Sequence, residues 1–208
     1  MFEMEGVMSQ KVLIATGNLG KFNIYKAVFD ELGIECTNIK EVGINIDVDE
    51  NGKNEVENAV IKAKGYHEAT GMPVLANDSG LVIDKFKPED QPGALVRRYK
   101  GKELSDEEMI QVYVDKLNEV GGSSTGHYNV ALALINEKGE LFTREFKPKR
   151  YFVNKPSSVI KKGVPLSSLS YDEVSGKYMS EMTTIERNNY EAEEMVKQKE
   201  FIAEVFKN

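Results

Sequence analysis

Cysteine is nearly absent: Cys36 is the single one in 208 residues. A lone thiol builds no disulfide framework and has no CxxC partner, so a reducing compartment is expected. Basic residues are in deficit, 27 Lys and Arg against 34 Asp and Glu, for a formal net charge of −7. That balance argues against a general nucleic-acid-binding surface, although a small site can still be locally basic. No apolar run reaches the roughly 18 residues of a membrane span. The opening MFEMEGVMSQ carries two glutamates and no apolar core of signal-peptide length. His67 and His127 are too far apart for a metal-ligand spacing. No repeat, low-complexity block or clean linker breaks the chain. These absences lead us to expect a cytoplasmic protein, with a single domain over residues 11–208 behind an N-terminal extension, 1–10.

What is present is ordinary for a globular protein: 40% hydrophobic and 29% charged residues. KVLIA (11–15) reads as a short buried strand, and TGNLGK (16–21) as a turn. Phe22, Tyr25, Val28, Phe29 and Leu32 then recur at helical spacing, with Gly33 as a stop. Residues 39–53 read as a strand and a polar loop. A helix follows from Asn54 to about Thr70, ended by Gly71 and Pro73. MPVLA reads as a strand ending at Asn77-Asp78-Ser79-Gly80, with LVIDKF after it as a candidate continuation. Ser105 and Glu108 form a capping-box pattern for a third helix, and 121–126 reads as a flexible loop. YNVALALI and ELFTREF flank Asn136-Glu137-Lys138-Gly139 as a hairpin. A last helix is expected over about Asn188–Phe206, with Ala192, Met195, Ile202 and Val205 inward. This order predicts an α/β protein with a mixed central sheet flanked by helices.

Three clusters carry possible chemistry. Thr16, Gly17, Asn18, Leu19, Gly20 and Lys21 lie between a strand and a helix N-terminus, where backbone N–H groups and the helix dipole favour an anion. The loop is neither a Walker A sequence nor a dinucleotide GxGxxG. Asn77, Asp78 and Ser79 stand at the end of a buried strand, where α/β proteins place ligands. An aspartate there can bind a hard cation or take a proton from water; the plain alternative is a turn, which these residue types also favour. Asp47, Asp49, Glu50, Glu55 and Glu57 form an acidic stretch from which one member can meet a cation. Of Lys62 and Lys64, at most one is expected to face a phosphate. Arg97, Arg98 and Lys100 read either as a solvated turn or as a substrate-side patch.

Taken together, VLIATGNLGK, ENAVIKAK, VLANDSGL, PGALVRRYKG and YNVALALI resemble the inosine-triphosphate pyrophosphatase family, in consistent order over residues 11–147. The resemblance implies two lobes around a nucleotide cleft and hydrolysis of an NTP to NMP and pyrophosphate, assisted by Mg²⁺. It implies that Thr16–Lys21 and Lys62 hold the triphosphate and that Asp78 is both general base and metal ligand. It gives Glu50 and Asn77 as further metal ligands and Ser79 as a substrate contact. Tyr171, Asp172, Arg187 and Glu193 fall on its base-binding segment. A homodimer is implied as well.

The departures are specific. Asn77 replaces the first of two aspartates, and Ile24 replaces a glutamate. Leu169-Ser170-Tyr171-Asp172 stands for Phe-Gly-Tyr-Asp, and Arg187 for a lysine. Glu191-Ala192-Glu193 stands for the Ser-His-Arg that reads a 6-oxo purine. Ionised glutamate only accepts hydrogen bonds, so weak activity on inosine or xanthosine triphosphates is expected, with preference for an amino-bearing base. The rival expectations are a conventional enzyme removing ITP, dITP and XTP, and a nucleotide-binding protein with weakened catalysis.

Overall fold

The computed structural model describes residues 11–44, 46, 48–99 and 101–207. The extension 1–10, Asp47 and Lys100 lie outside the described residues. The chain divides into two compact units. Unit 1 holds the segments up to Asp78, Ala131–Glu145 and the stretch from Gln198; unit 2 holds Ser79–Val130 and Phe146–Lys197.

In unit 1, Val12–Ala15 forms β1, buried at all four positions, as a strand covered on both faces requires. Helix α1 (Leu19–Leu32) buries Tyr25, Val28 and Phe29, and Gly33 ends it at φ 68°, a left-handed cap that glycine takes without a Cβ clash. β2 (Cys36–Asn38) and β3 (Val74–Ile83) both run parallel to β1. Helix α2 (Glu55–Thr70) is capped by Asn54, whose side chain accepts the Glu57 N–H. Ala59, Ala63 and Tyr66 of α2 join Leu13, Ala15, Val74, Ala76, Ala131, Ala133 and Ile135 in one core.

In unit 2, β4 (Arg98–Tyr99) and β5 (Lys102–Glu103) make a small ribbon. Helix α3 (Asp106–Glu119) begins with the full capping box of Ser105 and Glu108. Its Met109, Ile110, Tyr113 and Leu117 pack with Leu81, Ile83, Phe86, Phe152, Leu166 and Leu169 in a second core. β6 (Ser123–Ile135) and β3 each run through both units. β7 (Leu141–Phe146) follows β6 across the Asn136–Gly139 hairpin, and β8 (Lys149–Val153) pairs antiparallel with β6. The sheet order is β2-β1-β3-β6-β7, with β8 on β6, so the sheet is mixed as expected. β9 (Tyr171–Asp172) and β10 (Lys177–Tyr178) form a short hairpin, and α4 (Thr184–Phe206) closes the chain. Among the described residues no helix is long and apolar enough to cross a membrane.

Four readings of the sequence need correction. No described residue of 39–53 is in a strand: the strand comes earlier, at Cys36–Asn38, and Asn38 Oδ1 then accepts the N–H groups of Lys40 and Glu41 in a turn. Asn77–Gly80 is not a strand-ending turn, because β3 continues to Ile83 and Leu81 pairs with Gly93. Neighbouring strands can hold turn-prone residues extended when their backbone groups are taken up by pairing. Ser123–Gly126 is strand rather than loop, paired with β8; a Cβ on Gly126 would lie 2.4 Å from the Val82 carbonyl oxygen, so the close approach needs glycine. Finally, α4 starts at Thr184 and buries Gln198, Phe201, Ile202 and Val205, while Ala192 is exposed. Thr183 and Glu186 bond reciprocally at its start, a cap that brings the helix forward.

Candidate active site

The loop after β1 is organised by its own side chains. Thr16 Oγ1 accepts the Asn18 N–H at 3.1 Å, and Asn18 Oδ1 accepts the Lys21 N–H at 3.1 Å. Asn18 is thereby the N-cap of α1, and Gly17, Leu19 and Gly20 are exposed around it. A Cβ on Gly20 would sit 3.1 Å from Asn18 Oδ1, so glycine lets the cap close tightly. The loop borders a cavity of about 220 Å³ lined by Ala15, Thr16, Gly17, Glu50, Lys62 and Tyr66, with Ile46 and Val48.

Charge gathers around this cavity. Lys62, from the middle of α2, places Nζ 2.8 Å from Glu50 Oε2 and 3.3 Å from the Asn77 carbonyl oxygen. Lys64 is exposed, so Lys62 is the lysine of the two that faces the site. Lys21 is partly buried. Burial first, and then the charge of Lys62, pull its pKa below the usual lysine value, while Asp78 and Glu50 oppose the shift. Two cations and two carboxylates therefore act on one another within unit 1. Of the other acidic candidates, Asp49 accepts from the Asn51 side chain, Glu57 accepts the Lys53 N–H, and Asp47 lies outside the described residues.

Asp78 is half-buried on β3, and Asn58 Nδ2 donates to its Oδ2 at 3.1 Å. Successive strand residues face opposite sides of a sheet, so Asn77 and Ser79 project away from the face that Asp78 uses. The Asn77 side chain is buried, with Oδ1 lacking a hydrogen-bond partner. The donor set near Lys21 and Lys62 is thus Glu50 and Asp78, two hard carboxylates; no group of three or more His, Cys, Asp or Glu among the described residues makes a metal cage. That set fits Mg²⁺, which takes one or two protein carboxylates and completes its shell with phosphate oxygens and water. Asn77 fits such a shell poorly, since its amide points to the other face.

The sequence-predicted residues of unit 2 do not gather as one group. Tyr171 packs edge-on against Tyr178, with centroids 5.1 Å apart. Asp172 accepts the N–H groups of Val174 and Ser175 and so shapes the β9–β10 turn; hydrogen bonding from Ser175 holds its carboxyl below the usual range. Arg187 lies 3.6 Å from Glu191, which also takes Arg150 at 2.6 Å. The Arg150 guanidinium stacks over the rings of Tyr128 and Tyr190. Glu193 is elsewhere, exposed and paired with Lys197 at 2.8 Å. Arg97 bonds Asp106 at 2.7 Å and the carbonyl oxygens of Leu104 and Gly163; it ties the loop before α3 together, and Arg98 is exposed.

Sequence reasoning missed Asn58, Arg150, Tyr128 and Tyr190. Asn58 sits inside the ENAVIKAK motif, where its amide next to a helix start was a visible signal. Arg150 and its tyrosine partners lie far apart in the chain and left none.

This fold and this site are those of an α/β protein with an anion-binding loop, two lysines and two carboxylates held close together. The chain belongs to the Ham1 family, whose sequence pattern matches residues 12–192. It is 29% identical over 177 residues to a dITP/XTP pyrophosphatase of Halalkalibacterium halodurans, covering 85% of this chain and 89% of the relative. A dITP/XTP pyrophosphatase of Bacillus licheniformis is 31% identical over 148 residues, 71% of this chain and 74% of that protein. A solved HAM1 protein from Coxiella burnetii superposes with a TM-score of 0.74 at 25% identity, covering 94% of this chain and 99% of the other.

Proposed function

We propose that the protein hydrolyses a nucleoside or deoxynucleoside triphosphate to the monophosphate and pyrophosphate, using Mg²⁺. The observation that carries this reading is the cluster of Lys21, Lys62, Glu50 and Asp78 beside the loop that starts α1. The lysines and the helix start bind the phosphate oxygens and spread their charge. Glu50 and Asp78 hold the ion, which when bound neutralises phosphate charge and eases deprotonation of water. Asp78 takes the proton as water attacks the α-phosphorus, the α–β bridging P–O bond breaks, and pyrophosphate leaves. In this reading Asn77 and Ser79, on the face of β3 away from Asp78, are neither metal ligands nor phosphate contacts.

The base preference follows from what the C-terminal segment lacks. In the register given by the family resemblance, Ala192 offers no donor, Glu191 is taken up by Arg150 and Arg187, and Glu193, which that register sets against the base, is exposed and paired with Lys197. Mismatched polar partners discriminate by about 10⁴-fold in favourable cases. Turnover of ITP, dITP and XTP is therefore weak. The resemblance also supports a homodimer, and the single cysteine a cytoplasmic location.

The test is pyrophosphate release with Mg²⁺ across ITP, dITP, XTP, the standard NTPs and dNTPs and several amino-modified purines, with Asp78→Asn as control. Asp78-dependent release supports the reading, and the preferred base identifies the substrate. Nucleotide binding with no release from any of them replaces it with a binding protein. Efficient ITP turnover leaves the pyrophosphatase standing and removes the altered base preference.

A further inference from the structure

Asn58 touches both halves of the acidic site. It is the fourth residue of α2 and is 8% exposed. Its Oδ1 accepts the Gly52 N–H at 2.8 Å, and its Nδ2 donates to Asp78 Oδ2 at 3.1 Å. The partners settle the orientation of the amide, because a backbone N–H only donates and an ionised carboxylate only accepts. The contact with the loop is close: a Cβ on Gly52 would lie 2.7 Å from Asn58 Oδ1 and 2.8 Å from its backbone nitrogen. Two residues before Gly52 stands Glu50, whose carboxylate pairs with Lys62, and Lys62 in turn bonds the Asn77 carbonyl oxygen next to Asp78. A circuit of contacts therefore runs from Asp78 through Asn58 and Gly52 to Glu50, and back through Lys62 to β3.

We propose that Asn58 is a positioning residue for the two acidic groups. Its amide fixes the plane of the Asp78 carboxylate by holding Oδ2, which leaves Oδ1 for a metal ion or a water. Through Gly52 the same amide seats the loop that carries Glu50. Both carboxylates then meet the metal and the triphosphate in an arrangement set before binding, the condition under which fixed groups contribute most to a reaction. This inference rests on the proposed function and deepens it.

A plain structural role would also use the bond to Gly52, so the experiment separates the two. Wild type, Asn58→Leu, Asp78→Asn and the double variant are compared by kcat at saturating nucleotide, by Mn²⁺ affinity without nucleotide (free ion read by electron paramagnetic resonance), and by Tm. Asn58→Leu is expected to lower kcat and Mn²⁺ affinity by about tenfold or more, the usual effect of removing a partner that orients a ligand. Adding Asn58→Leu to Asp78→Asn is expected to lower both values by less than it does in wild type, because the part of its effect that runs through Asp78 is gone while the part that runs through Gly52 to Glu50 remains. Asn58→Asp keeps the acceptor for Gly52 and denies Asp78 its donor. Because it sets a second carboxylate against Asp78, it is expected to fold with a Tm below wild type and to show at least the same loss of kcat, which keeps the test decisive if the leucine variant does not fold. Independent, multiplying losses in the double variant, or full activity of Asn58→Asp, overturn the positioning role while leaving the pyrophosphatase intact. Full activity of Asp78→Asn removes Asp78 as the base, and this inference with it, whereas no pyrophosphate release from wild type overturns the proposed function itself.

Discussion

Lys62 Nζ lies 2.8 Å from Glu50 Oε2, so one cation of the proposed phosphate site is already engaged by a carboxylate, on side chains 14% and 40% exposed. A triphosphate must share that ammonium or take it over. Lys62→Met is expected to lower kcat/KM for the preferred nucleotide by about 100-fold or more, the usual loss when a fixed charge facing a reacting group is removed. Because Glu50 remains open to water, little stability is lost. Steady-state kinetics with a thermal melt checks both halves. A variant as active as wild type places the phosphates elsewhere.

Lys21 carries a pH signature. Burial and Lys62 lower its pKa from 10.5, so the native state favours the neutral amine more than the unfolded chain does. Between the lowered native pKa and 10.5 the unfolded state binds more protons, and stability rises with pH across that window. Below the window the cost of a buried cation is fully present. Lys21→Met is therefore expected to raise Tm at neutral pH by a few degrees at most, with the gain shrinking as pH approaches 10.5, while kcat/KM falls. In wild type kcat/KM declines at a pH below the ordinary lysine range, and Lys21→Arg moves that decline upward. Melts and rates measured over one pH series test the coupling; a Lys21→Met protein less stable than wild type at neutral pH contradicts it.

Two glutamates two residues apart on α4 have opposite expectations. Glu191 is mostly buried between Arg150 and Arg187, whereas Glu193 is 84% exposed and meets only Lys197. Removing one member of a buried pair strands the other charge, so Glu191→Gln is expected to cost roughly 2 kcal/mol. That corresponds to a Tm drop of about 4–8 °C for a chain of this size. Glu193→Gln is expected to leave the Tm indistinguishable from wild type and the nucleotide profile unaltered. Calorimetry and the substrate panel decide; a shifted base preference in Glu193→Gln would place that carboxylate at the base after all.

Glu186 predicts an acid-side effect. Lys177, followed by the Thr183 backbone and hydroxyl, holds its carboxyl down from 4.5 to about 2. A native pKa below the unfolded value contributes stability that is present above 4.5 and is lost as pH falls through about 2. The Tm difference between wild type and Glu186→Gln is thus expected to stay constant above that range and to close within it. A difference that is flat down to the lowest pH would remove the carboxylate's role in capping α4.

Local chemistry was legible where a few neighbouring residues suffice. VLIA announced β1, and Ser105 with Glu108 announced α3. Gly33 and Gly71 marked helix ends, because only a residue without a Cβ takes the left-handed cap cheaply. TGNLGK was legible as a candidate anion loop, but Lys62 was chosen over Lys64 only through the family resemblance, since helix spacing sets the two on opposite faces of α2 without saying which face turns inward. The strand through Asn77–Gly80 was not: those residue types favour a turn, and only their pairing partners keep them extended. The start of α4 was missed because its cap, Thr183 and Glu186, precedes the apolar spacing that was used to find the helix.

The sequence by itself therefore determined the α/β class, most helices and their ends, and the family, and it supplied the candidates proposed for phosphate and acid chemistry. These depend on contacts within a few positions of the chain, or on motifs whose order survives without coordinates. Tertiary structure alone decided which carboxylate meets which cation. It turned Asn77 from Asp78's face, joined Asn58 to Asp78 across 20 positions, and put Glu191 with Arg150 across 41. Strand alternation and long-range packing set those pairings, and neither can be read from residue type or spacing in a segment whose partners lie far along the chain.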